Sequence, residues 1–264
     1  MQTKKEQLMI CSERQERILS ELRAHKVVSV ARLAQKCYVS PCTLRRDLDQ
    51  LEKMGLLHRS YGRAILAEHP NEQISYNVRD NECHQEKDTI GSLAAELVKS
   101  GDFVLLDSSS TAKYLLPYLS ARRDLSILTN GAQMALDCLQ MMDNATVYTL
   151  GGRLSPFFRG AVGSAALEQL STYRPDIGFI SVRAVTPDGA VCDVDEDVTY
   201  LKKKMLQVCR KRVLLCDSRK FTRVSYRVVC RLEELDCLVT EKCPEPEWLR
   251  ALESAGVELI CPSV

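Results

Sequence analysis

Residues 27–66 contain two helix starts followed by one helix stop, and this order constrains the fold of the N-terminal part more than any other feature of the chain. Ser29 can cap a short first helix, because its side-chain oxygen can accept a hydrogen bond from a backbone N–H of the first turn. Ser40 can cap a second helix with Pro41 at its first position, where the missing N–H has no cost. Gly55 suits the left-handed residue that follows a helix. Two helices joined by a short turn are predicted, as in a helix-turn-helix.

The second predicted helix divides into two faces. Leu44, Leu48 and Leu51 recur at helical spacing and form an apolar stripe that should pack on the preceding helices. The opposite face and the leading end carry polar side chains, and a recognition helix uses these positions for base edges and phosphates. Arginine can pair with guanine, glutamine with adenine, and a threonine methyl can touch thymine. The predicted DNA contacts of this helix are Ser40, Cys42, Thr43, Arg45, Arg46 and Gln50.

A β-hairpin is predicted directly after this helix, since strand patterns lie on both sides of a turn at Tyr61-Gly62. Arg59 and Arg63 flank the turn and can reach phosphates or the minor groove. A hairpin in this place is the wing of a winged helix-turn-helix, an α+β domain. The predicted DNA contacts of the wing are Arg59, Tyr61 and Arg63. A surface helix with merely solvated arginines is the alternative, but the capped turn inside this pattern favours DNA binding.

Charge is distributed unevenly along the 264 residues. Residues 1–67 carry 13 Lys and Arg against 7 Asp and Glu, a net charge of +6, while the remaining residues carry 23 against 28, a net charge of −5. A basic N-terminal domain on a mildly acidic body is expected when only one end of a chain binds nucleic acid. Residues 68–86 are polar and predict a linker, so the two domains are predicted at 1–67 and 87–264.

The 12 cysteines raise the question of a metal site or a disulfide framework. No two of them have C-x-x-C spacing, and the 4 histidines do not cluster with them, whereas a zinc site needs clustered ligands. Several stand in place of aliphatic residues within apolar runs, so we expect free, buried thiols and predict neither a metal nor a cofactor. Cys42 lies near the predicted DNA face and is the one cysteine for which redox sensing is an alternative.

The N-terminus is polar and lacks the apolar segment of a signal peptide. No uninterrupted apolar stretch approaches the ~20 residues that a membrane-spanning helix needs. We therefore expect a cytoplasmic protein without a membrane partner.

The larger domain alternates short apolar runs with helical patterns. Strands are predicted at residues 103–106, 125–128, 146–150, 177–181, 213–216, 237–240 and 257–260. Apolar strands that alternate with helices are typical of a parallel, doubly wound α/β sheet.

Polar clusters follow several of these strands, at the edge where such sheets bind ligands. Residues 107–111 offer hydroxyls and backbone N–H groups suited to a phosphate. Residues 151–152 are glycines that let the backbone approach a ligand, while Asp217 and Lys220 offer a carboxylate for hydroxyls and a cation for phosphate. Each cluster alone is explained by a cap or a turn, but their recurrence at one edge predicts a small-molecule pocket. The predicted ligand contacts are Asp107, Ser108, Ser109, Ser110, Thr111, Thr129, Asn130, Gly151, Gly152, Asp217 and Lys220.

Together these features resemble the DeoR family of bacterial transcription regulators, from Arg14 to about Leu238. The N-terminal resemblance lies in residues 28–30, 39–48, 55–57 and 61–62, where Arg45-Arg46-Asp47-Leu48 is the most specific part. The C-terminal resemblance runs through Lys87, Gly101-Asp102, Leu106-Asp107-Ser108, Thr129-Asn130, Gly151-Gly152 and Asp217-Ser218-Arg219-Lys220-Phe221.

The resemblance implies a C-terminal domain that has the fold of sugar-phosphate isomerases and senses a phosphorylated sugar. It adds Lys87 to the effector-binding residues. It further implies a repressor of a carbohydrate-catabolism operon, released from double-stranded operator DNA by that effector. We also expect a homo-oligomer, because two recognition helices about 34 Å apart match a near-palindromic operator.

Two segments depart from the family pattern. Ser109-Ser110 stand where the family usually has Gly-Thr, and serine adopts a positive φ less easily than glycine, so a different loop shape is expected. Residues 182–185 replace a Gly- and Asp-rich loop. Arg183 within them is either an added phosphate contact or a side chain that narrows the pocket.

We predict a protein that is not an enzyme, with one main alternative. Asp107, Asp217 and Lys220 could serve acid–base chemistry, so the chain could be a sugar-phosphate isomerase-like enzyme with a DNA-binding appendage. Against this, the sequence has no dedicated pair of nucleophile and base. A dinucleotide-dependent dehydrogenase is a more distant alternative, because no Gly-x-Gly-x-x-Gly follows the crevice strands.

Overall fold

The computed structural model describes residues 13–25, 27–53, 56–60, 62–66, 76–223 and 225–262. The chain forms two compact units, Met1–Glu82 and Cys83–Val264. The predicted helix stop at Gly55 and the predicted wing contact Tyr61 lie outside the described residues. No helix formed by the described residues is both long enough and apolar enough to cross a membrane.

The first unit is a winged helix-turn-helix. Its elements are α1 (Glu13–His25), β1 (Val27–Ser29), α2 (Val30–Lys36), α3 (Pro41–Lys53), β2 (Leu57–Ser60), β3 (Arg63–Leu66) and α4 (Tyr76–Asp80). The strands form an antiparallel sheet in the order β1-β3-β2. β2 and β3 are the predicted hairpin, whereas the third strand, β1, was not predicted, because its 3 residues are too few to show a period.

Both predicted helix caps are confirmed. Ser29 Oγ accepts a hydrogen bond from the backbone N–H of Arg32 at 3.3 Å, and Ser40 Oγ accepts one from the backbone N–H of Thr43 at 3.2 Å. The apolar stripe of α3 faces the inner sides of α1 and α2. This core includes Ile18, Leu22, Leu33, Leu44, Leu48 and Leu51, all at 0% exposure.

The second unit alternates helices and strands. Its helices are α5 (His84–Ala95), α6 (Leu116–Leu119), α7 (Ala132–Met141), α8 (Ser164–Leu170), α9 (Glu196–Val208) and α10 (Pro246–Ala255), with 3₁₀ turns at Ala112–Leu115, Ser218–Phe221 and Leu232–Glu234. Its strands are β4 (Phe103–Leu106), β5 (Ser126–Thr129), β6 (Thr146–Thr149), β7 (Arg153–Ser155), β8 (Gly160–Val162), β9 (Ile177–Ser181), β10 (Ala184–Val185), β11 (Ala190–Asp193), β12 (Lys211–Leu215), β13 (Arg227–Arg231), β14 (Cys237–Val239) and β15 (Glu258–Ile260).

Seven of these strands form one parallel sheet in the order β15-β14-β12-β9-β4-β5-β6. The chain moves outward from β4 to β6 and then returns to place β9 on the other side of β4. The strand order therefore reverses between β4 and β9, and in doubly wound sheets ligands bind at that point. The prediction of a doubly wound α/β domain is confirmed. Two small antiparallel sheets, β10-β11-β13 and β7-β8, were not predicted.

The large sheet separates two apolar cores. Leu105 packs in one core and its neighbour Leu106 in the other, because successive side chains of a strand point to opposite faces. α5, α6 and α7 cover one face of the sheet, while α8, α9 and α10 cover the other. Continuous apolar strands such as β9, buried at all 5 positions, are the consequence.

The segment predicted as a linker, residues 68–86, contains more structure than expected. Residues 76–80 form α4, and α5 begins at His84. Tyr76 is 5% exposed, so this segment contains a buried aromatic side chain although its composition is polar. Residues 67–75 lie outside the described part of the chain.

Most of the described cysteines are buried and free, as predicted. Those that are buried are Cys37, Cys138, Cys192, Cys209, Cys216, Cys230 and Cys237. Burial raises the pKa of the thiols of Cys138, Cys209 and Cys216 to about 12. Thiols with such pKa values remain protonated and behave as small apolar side chains.

Candidate nucleic-acid interface and ligand crevice

The recognition helix α3 places its two arginines outward. Arg45 and Arg46 are exposed, as is Cys42 beside them, and Thr43 is half-buried. Ser40, at the leading end of the helix, is exposed as well and caps it. The sequence prediction of a polar face opposite a buried stripe is therefore confirmed, and it presents two cations where a helix-turn-helix meets DNA.

Asp47, between the arginines and the buried leucine, has a structural role. Its carboxylate accepts hydrogen bonds from Arg14 Nε at 2.5 Å and Arg14 Nη2 at 3.0 Å, in a two-pronged pair that joins α1 to α3. This hydrogen bond raises the pKa of the Arg14 guanidinium. Asp47 is 5% exposed, so the pair fixes the orientation of α3 from inside the unit.

Two predicted DNA contacts have partners inside the protein. Gln50 Oε1 accepts a hydrogen bond from Gln15 Nε2 at 2.6 Å. Arg59 Nε donates to Glu52 Oε2 at 2.8 Å, and its Nη2 lies 2.6 Å from Asp49 Oδ1. The hydrogen bond with Glu52 raises the pKa of Arg59. The Arg59 contacts hold the wing against α3, whereas the Gln15–Gln50 bond joins α1 to α3.

Two further exposed side chains of the first unit are Arg63 and Tyr38. Arg63, at the start of β3, is exposed. Tyr38, in the turn before α3, is 90% exposed with a positive φ of 55°. The sequence places Tyr38 in the turn between the two predicted helices, but its exposure is known only from the structure.

Asp107 occupies the centre of the crevice in the second unit. It follows β4 at the reversal of strand order and is 1% exposed. Its Oδ1 accepts a hydrogen bond from the backbone N–H of Ser109 at 3.0 Å, and its Oδ2 accepts one from the backbone N–H of Ser181 at 3.0 Å. One carboxylate therefore shapes the loop after β4 and links it to the end of β9.

A buried ion pair that the sequence analysis missed lies beside Asp107. Lys202 Nζ lies 2.6 Å from Asp193 Oδ2 and 3.7 Å from Asp107 Oδ2. Both new residues are buried, Asp193 at the end of β11 and Lys202 on α9. A sequence clue existed, because Lys202 follows Leu201 in the apolar stripe of α9, four positions after Val198. Polar residues at core positions of a helix usually have a buried partner.

Lys220 completes the crevice from the end of β12. Its Nζ donates a hydrogen bond to Ser181 Oγ at 2.6 Å and lies 3.3 Å from Asp217 Oδ2. Burial alone would raise the pKa of Asp217, but the charges of Lys220 and Arg219 outweigh burial and hold it well below its usual range. Asp217 therefore remains charged at neutral pH, as the sequence analysis required of a hydroxyl-binding carboxylate.

Asn130, after β5, holds the loop after β4 from the other side. Its Oδ1 accepts a hydrogen bond from the backbone N–H of Ser108 at 2.9 Å, and its Nδ2 donates to the carbonyl of Ala161 at 3.1 Å. Gly160 of β8 lies so close that a Cβ there would be 2.7 Å from Ser108 Cβ. The β7-β8 hairpin is therefore packed directly on the predicted phosphate loop.

Ser109 occupies the loop without a positive φ. Among the described residues, positive φ outside glycine occurs at Tyr38, Cys83, Asp124 and Arg159. Ser109 Oγ accepts a hydrogen bond from the backbone N–H of Ala112 at 3.1 Å. The serine hydroxyl thus bonds to the first residue of the following 3₁₀ turn, a contact that glycine could not make.

The remaining predicted ligand contacts are Gly151, Gly152, Lys87 and Arg183, and each has neighbours of its own. The backbone N–H of Gly151 donates to Gln169 Oε1 at 2.7 Å, and a Cβ on Gly152 would lie 3.0 Å from the carbonyl oxygen of Val162. Lys87 is buried on α5, with its Nζ 5.9 Å from the centre of the Tyr114 ring. The backbone N–H of Arg183 donates to the carbonyl of Cys192 at 3.0 Å and extends the small β10-β11 pairing.

The crevice is closed in this conformation. Ser108 is half-buried, whereas the other contacts that the strand ends bring together are buried. Those buried residues are Asp107, Ser109, Ser110, Thr111, Thr129, Asn130, Asp217 and Lys220. Two buried lysines at the crevice lie against carboxylates, Lys220 against Asp217 and Lys202 against Asp193. A ligand that reaches these groups must therefore displace internal partners.

Comparisons with known proteins cover both units. Residues 14–69 match the family described as DeoR-like helix-turn-helix domain, and residues 82–242 match the DeoR C terminal sensor domain. The HTH-type transcriptional repressor GlcR of Bacillus subtilis is 33% identical over 96% of this chain and 96% of its own length. A putative aga operon transcriptional repressor of Escherichia coli O157:H7 is 29% identical over 94% of this chain and 93% of its own. A solved D-ribose-5-phosphate isomerase in complex with phospho-erythronic acid has a TM-score of 0.39 at 16% identity, over 53% of this chain and 54% of that one.

Proposed function

This chain belongs to the DeoR family of transcription regulators, and from that premise we propose a repressor of a carbohydrate-catabolism operon that a phosphorylated sugar releases from its operator. It is an HTH-type transcriptional regulator. Two of its relatives carry the name of repressors, which supports repression here. The observation that carries the DNA-binding half is the outward placement of Arg45 and Arg46 on a capped helix whose other face is fully buried.

The proposed division of labour follows the charge distribution. We assign DNA binding to residues 1–67, connection to residues 68–86 and effector binding to residues 87–264. The base-contacting candidates are those exposed on α3, and Arg63 adds a phosphate contact from the wing. Two copies on a near-palindromic operator would place two recognition helices about one helical turn apart.

The effector site is proposed at the reversal of strand order, around Asp107. A phosphate would interact with Lys220 and the loop at residues 107–111, and sugar hydroxyls would bond to Asp107 and Asp217. Because Lys220 already lies 3.3 Å from Asp217, an incoming phosphate competes with that carboxylate for the same cation. Effector binding therefore changes contacts at the ends of β4, β9 and β12 together.

Release from DNA would follow from linkage. The effector is proposed to bind the DNA-incompetent conformation more tightly than the DNA-competent one. By linkage, the affinity for DNA then falls by the ratio of these two effector affinities. The closed crevice supports this scheme, since a ligand must open it to reach the buried carboxylates. The conformation that binds the effector then differs from the one described here.

Fluorescence anisotropy tests the proposal. The probe is a labelled duplex from the upstream region of the gene, at fixed salt, with competitor DNA and a panel of pentose and hexose phosphates. We expect specific binding that one compound reverses. The Lys220→Ala variant should bind the duplex as the wild type does but respond less to the effector. If no sugar phosphate changes duplex binding, the proposed sensing function is contradicted. If the purified protein converts one of these sugar phosphates into a product, the enzyme alternative is favoured.

A further inference from the structure

Two thiols lie together at one end of the large sheet. Cys243 follows β14, and Cys261 comes directly after β15, the outermost strand on that side. β14 and β15 are parallel with Val239 opposite Ile260, and the backbone N–H of Thr240 donates to the carbonyl of Ile260 at 3.0 Å. The side chains of Cys243 and Cys261 share a hydrogen bond. The strand pairing and this bond therefore hold the two sulfur atoms close together.

Solvent reaches this pair of thiols. Cys243 and Cys261 are half-buried and neither is in a disulfide, whereas Cys138, Cys209 and Cys216 are buried in the two cores. A dissolved oxidant can therefore meet the pair, and each thiol has a second one beside it with which to form a bond. Within the described residues, no three or more His, Cys, Asp and Glu side chains are grouped so that they could hold a metal ion. The pair thus lacks the further ligands that a zinc site needs.

Glu241, two positions before Cys243, connects the pair to the ligand crevice. Its two carboxylate oxygens both accept from the backbone N–H of Ser218, each at 3.1 Å. Ser218 begins the 3₁₀ turn that carries Lys220, the cation proposed to bind phosphate. A displacement of residues 241–243 is therefore transmitted through one hydrogen-bonded contact to the turn that positions Lys220.

We propose that Cys243 and Cys261 are a redox-sensitive site, at which a peroxide forms a disulfide that weakens the response to the effector. One thiolate attacks a peroxide oxygen and becomes a sulfenic acid, while the other oxygen leaves as hydroxide. The second thiol then attacks the sulfenic sulfur, the S–S bond forms, and the sulfenic oxygen leaves as water. With hydrogen peroxide, the two thiols together lose two electrons and two protons, and one peroxide yields two water molecules.

The disulfide changes the crevice by drawing two chain segments together. An S–S bond is shorter than the contact between two hydrogen-bonded thiols, so the loop after β14 must move towards the end of β15. Glu241 moves with this loop, and the turn that carries Lys220 loses or changes its contact with the carboxylate. The effect on the effector response rests on the proposed function, whereas formation of the disulfide does not.

Peptide mapping of the full-length protein tests the disulfide. The reduced protein is treated with hydrogen peroxide, digested without reductant and analysed by mass spectrometry. We expect a link between the peptides that contain Cys243 and Cys261, which dithiothreitol breaks. Cys261→Ser should lose this link, whereas Cys42→Ser is the matched control and should retain it, because Cys42 is exposed on α3 in the other unit. An oxidised wild type in which the two peptides stay separate overturns the proposal.

Hydrogen exchange tests the connection to the crevice without DNA or effector. Oxidation of the wild type should change the exchange of the peptide that contains the Ser218 amide, because its bond to Glu241 is altered. The same treatment of Cys261→Ser should leave that peptide unchanged. Folding of each variant is checked by circular dichroism and by the fluorescence of Trp248, the single tryptophan, which is buried in the same unit. A linked protein with unchanged exchange at Ser218 overturns the connection.

Anisotropy of the labelled duplex separates this inference from the proposed function. The titration uses Cys42→Ser, so that oxidation beside the DNA face does not contribute. The concentration of sugar phosphate that releases half of the duplex should rise about 5-fold or more on oxidation, as for coupled sites. Adding Cys243→Ser should abolish this change.

The outcomes of this titration are distinct. If the reduced protein binds no duplex, or no sugar phosphate releases it, the proposed function fails while the disulfide and its effect on Ser218 stand on the mapping and exchange results. If the linked protein responds to the sugar phosphate as the reduced protein does, the redox effect on sensing is overturned and the proposed function stands.

Discussion

Asp107 Oδ2 accepts a hydrogen bond from the backbone N–H of Ser181 at 3.0 Å, and this bond joins the carboxyl ends of the two strands between which the sheet order reverses. The same Ser181 accepts a hydrogen bond from Lys220 at its hydroxyl. Three strand ends therefore share one buried polar network. A ligand that alters any member of the network affects the others, which is the physical requirement for a sensor.

The first prediction concerns the recognition helix. Arg46→Ala should weaken operator binding by about 1–3 kcal/mol, because the exposed arginine lies on the face proposed to contact DNA. The measurement is an anisotropy titration at fixed salt. Arg23→Ala removes another exposed arginine, on α1, and should change the affinity little. Equal losses in the two variants would mean that total charge, and not this face, governs binding.

The second prediction concerns the buried ion pair. Lys202→Met should destabilise the second unit by about 3–5 kcal/mol, because it leaves Asp193 buried without its cation. Unfolding in urea, followed by the fluorescence of Trp248, measures the loss. Lys203→Met, at the exposed neighbouring position, should stay within about 0.5 kcal/mol of the wild type. A tolerated Lys202→Met would contradict the role assigned to this pair.

The third prediction uses the close approach of the β7-β8 hairpin to the loop at residues 107–111, which is proposed to bind phosphate. Gly160→Ala places a methyl group 2.7 Å from Ser108 Cβ and should cost about 1–3 kcal/mol while displacing the loop. The variant should bind the operator duplex normally but respond to higher effector concentrations. Gly256→Ala, at the end of α10, is the control, because its φ of +71° makes the substitution costly while nothing lies within 4 Å of the added Cβ. Identical effector responses in both variants would argue against the loop as the phosphate site.

The fourth prediction is a pH dependence. The pKa of Asp217 is lowered in the folded protein: burial opposes the shift, and Lys220 and Arg219 more than compensate for it. A carboxylate with a depressed folded pKa stabilises the fold above its unfolded pKa, ~3.9, and this contribution is lost as the pH falls towards the folded pKa.

The measurement compares the wild type with Asp217→Asn by urea unfolding from about pH 6 to about pH 3. The stability gap between them should be largest at the upper end and shrink as the pH falls. Asp143→Asn, at an exposed position, controls for the loss of a surface carboxylate. A gap that widens on acidification would have the wrong sign for this assignment.

Local features of the fold were predictable. Ser29 and Ser40 each accept a hydrogen bond from the backbone N–H three residues further along the chain, so sequence spacing alone places the starts of α2 and α3. The alternation of apolar runs with helical patterns likewise predicts a parallel sheet. The carboxyl ends of those strands are recognisable by their polar residues, which is why Asp107, Asn130 and Lys220 were identified as one crevice.

The sequence by itself determined the two units, the recognition helix and the polar strand ends, because these depend on contacts between residues close in the chain. Only the tertiary structure decided which side chains meet. Asp107 and Ser181 are 74 positions apart, and their bond depends on the return of β9 beside β4. Asp193 and Lys202 join them through β11 and α9, while Glu52 holds Arg59 against α3. Such pairings follow from strand order and helix packing, which no local period along the chain encodes.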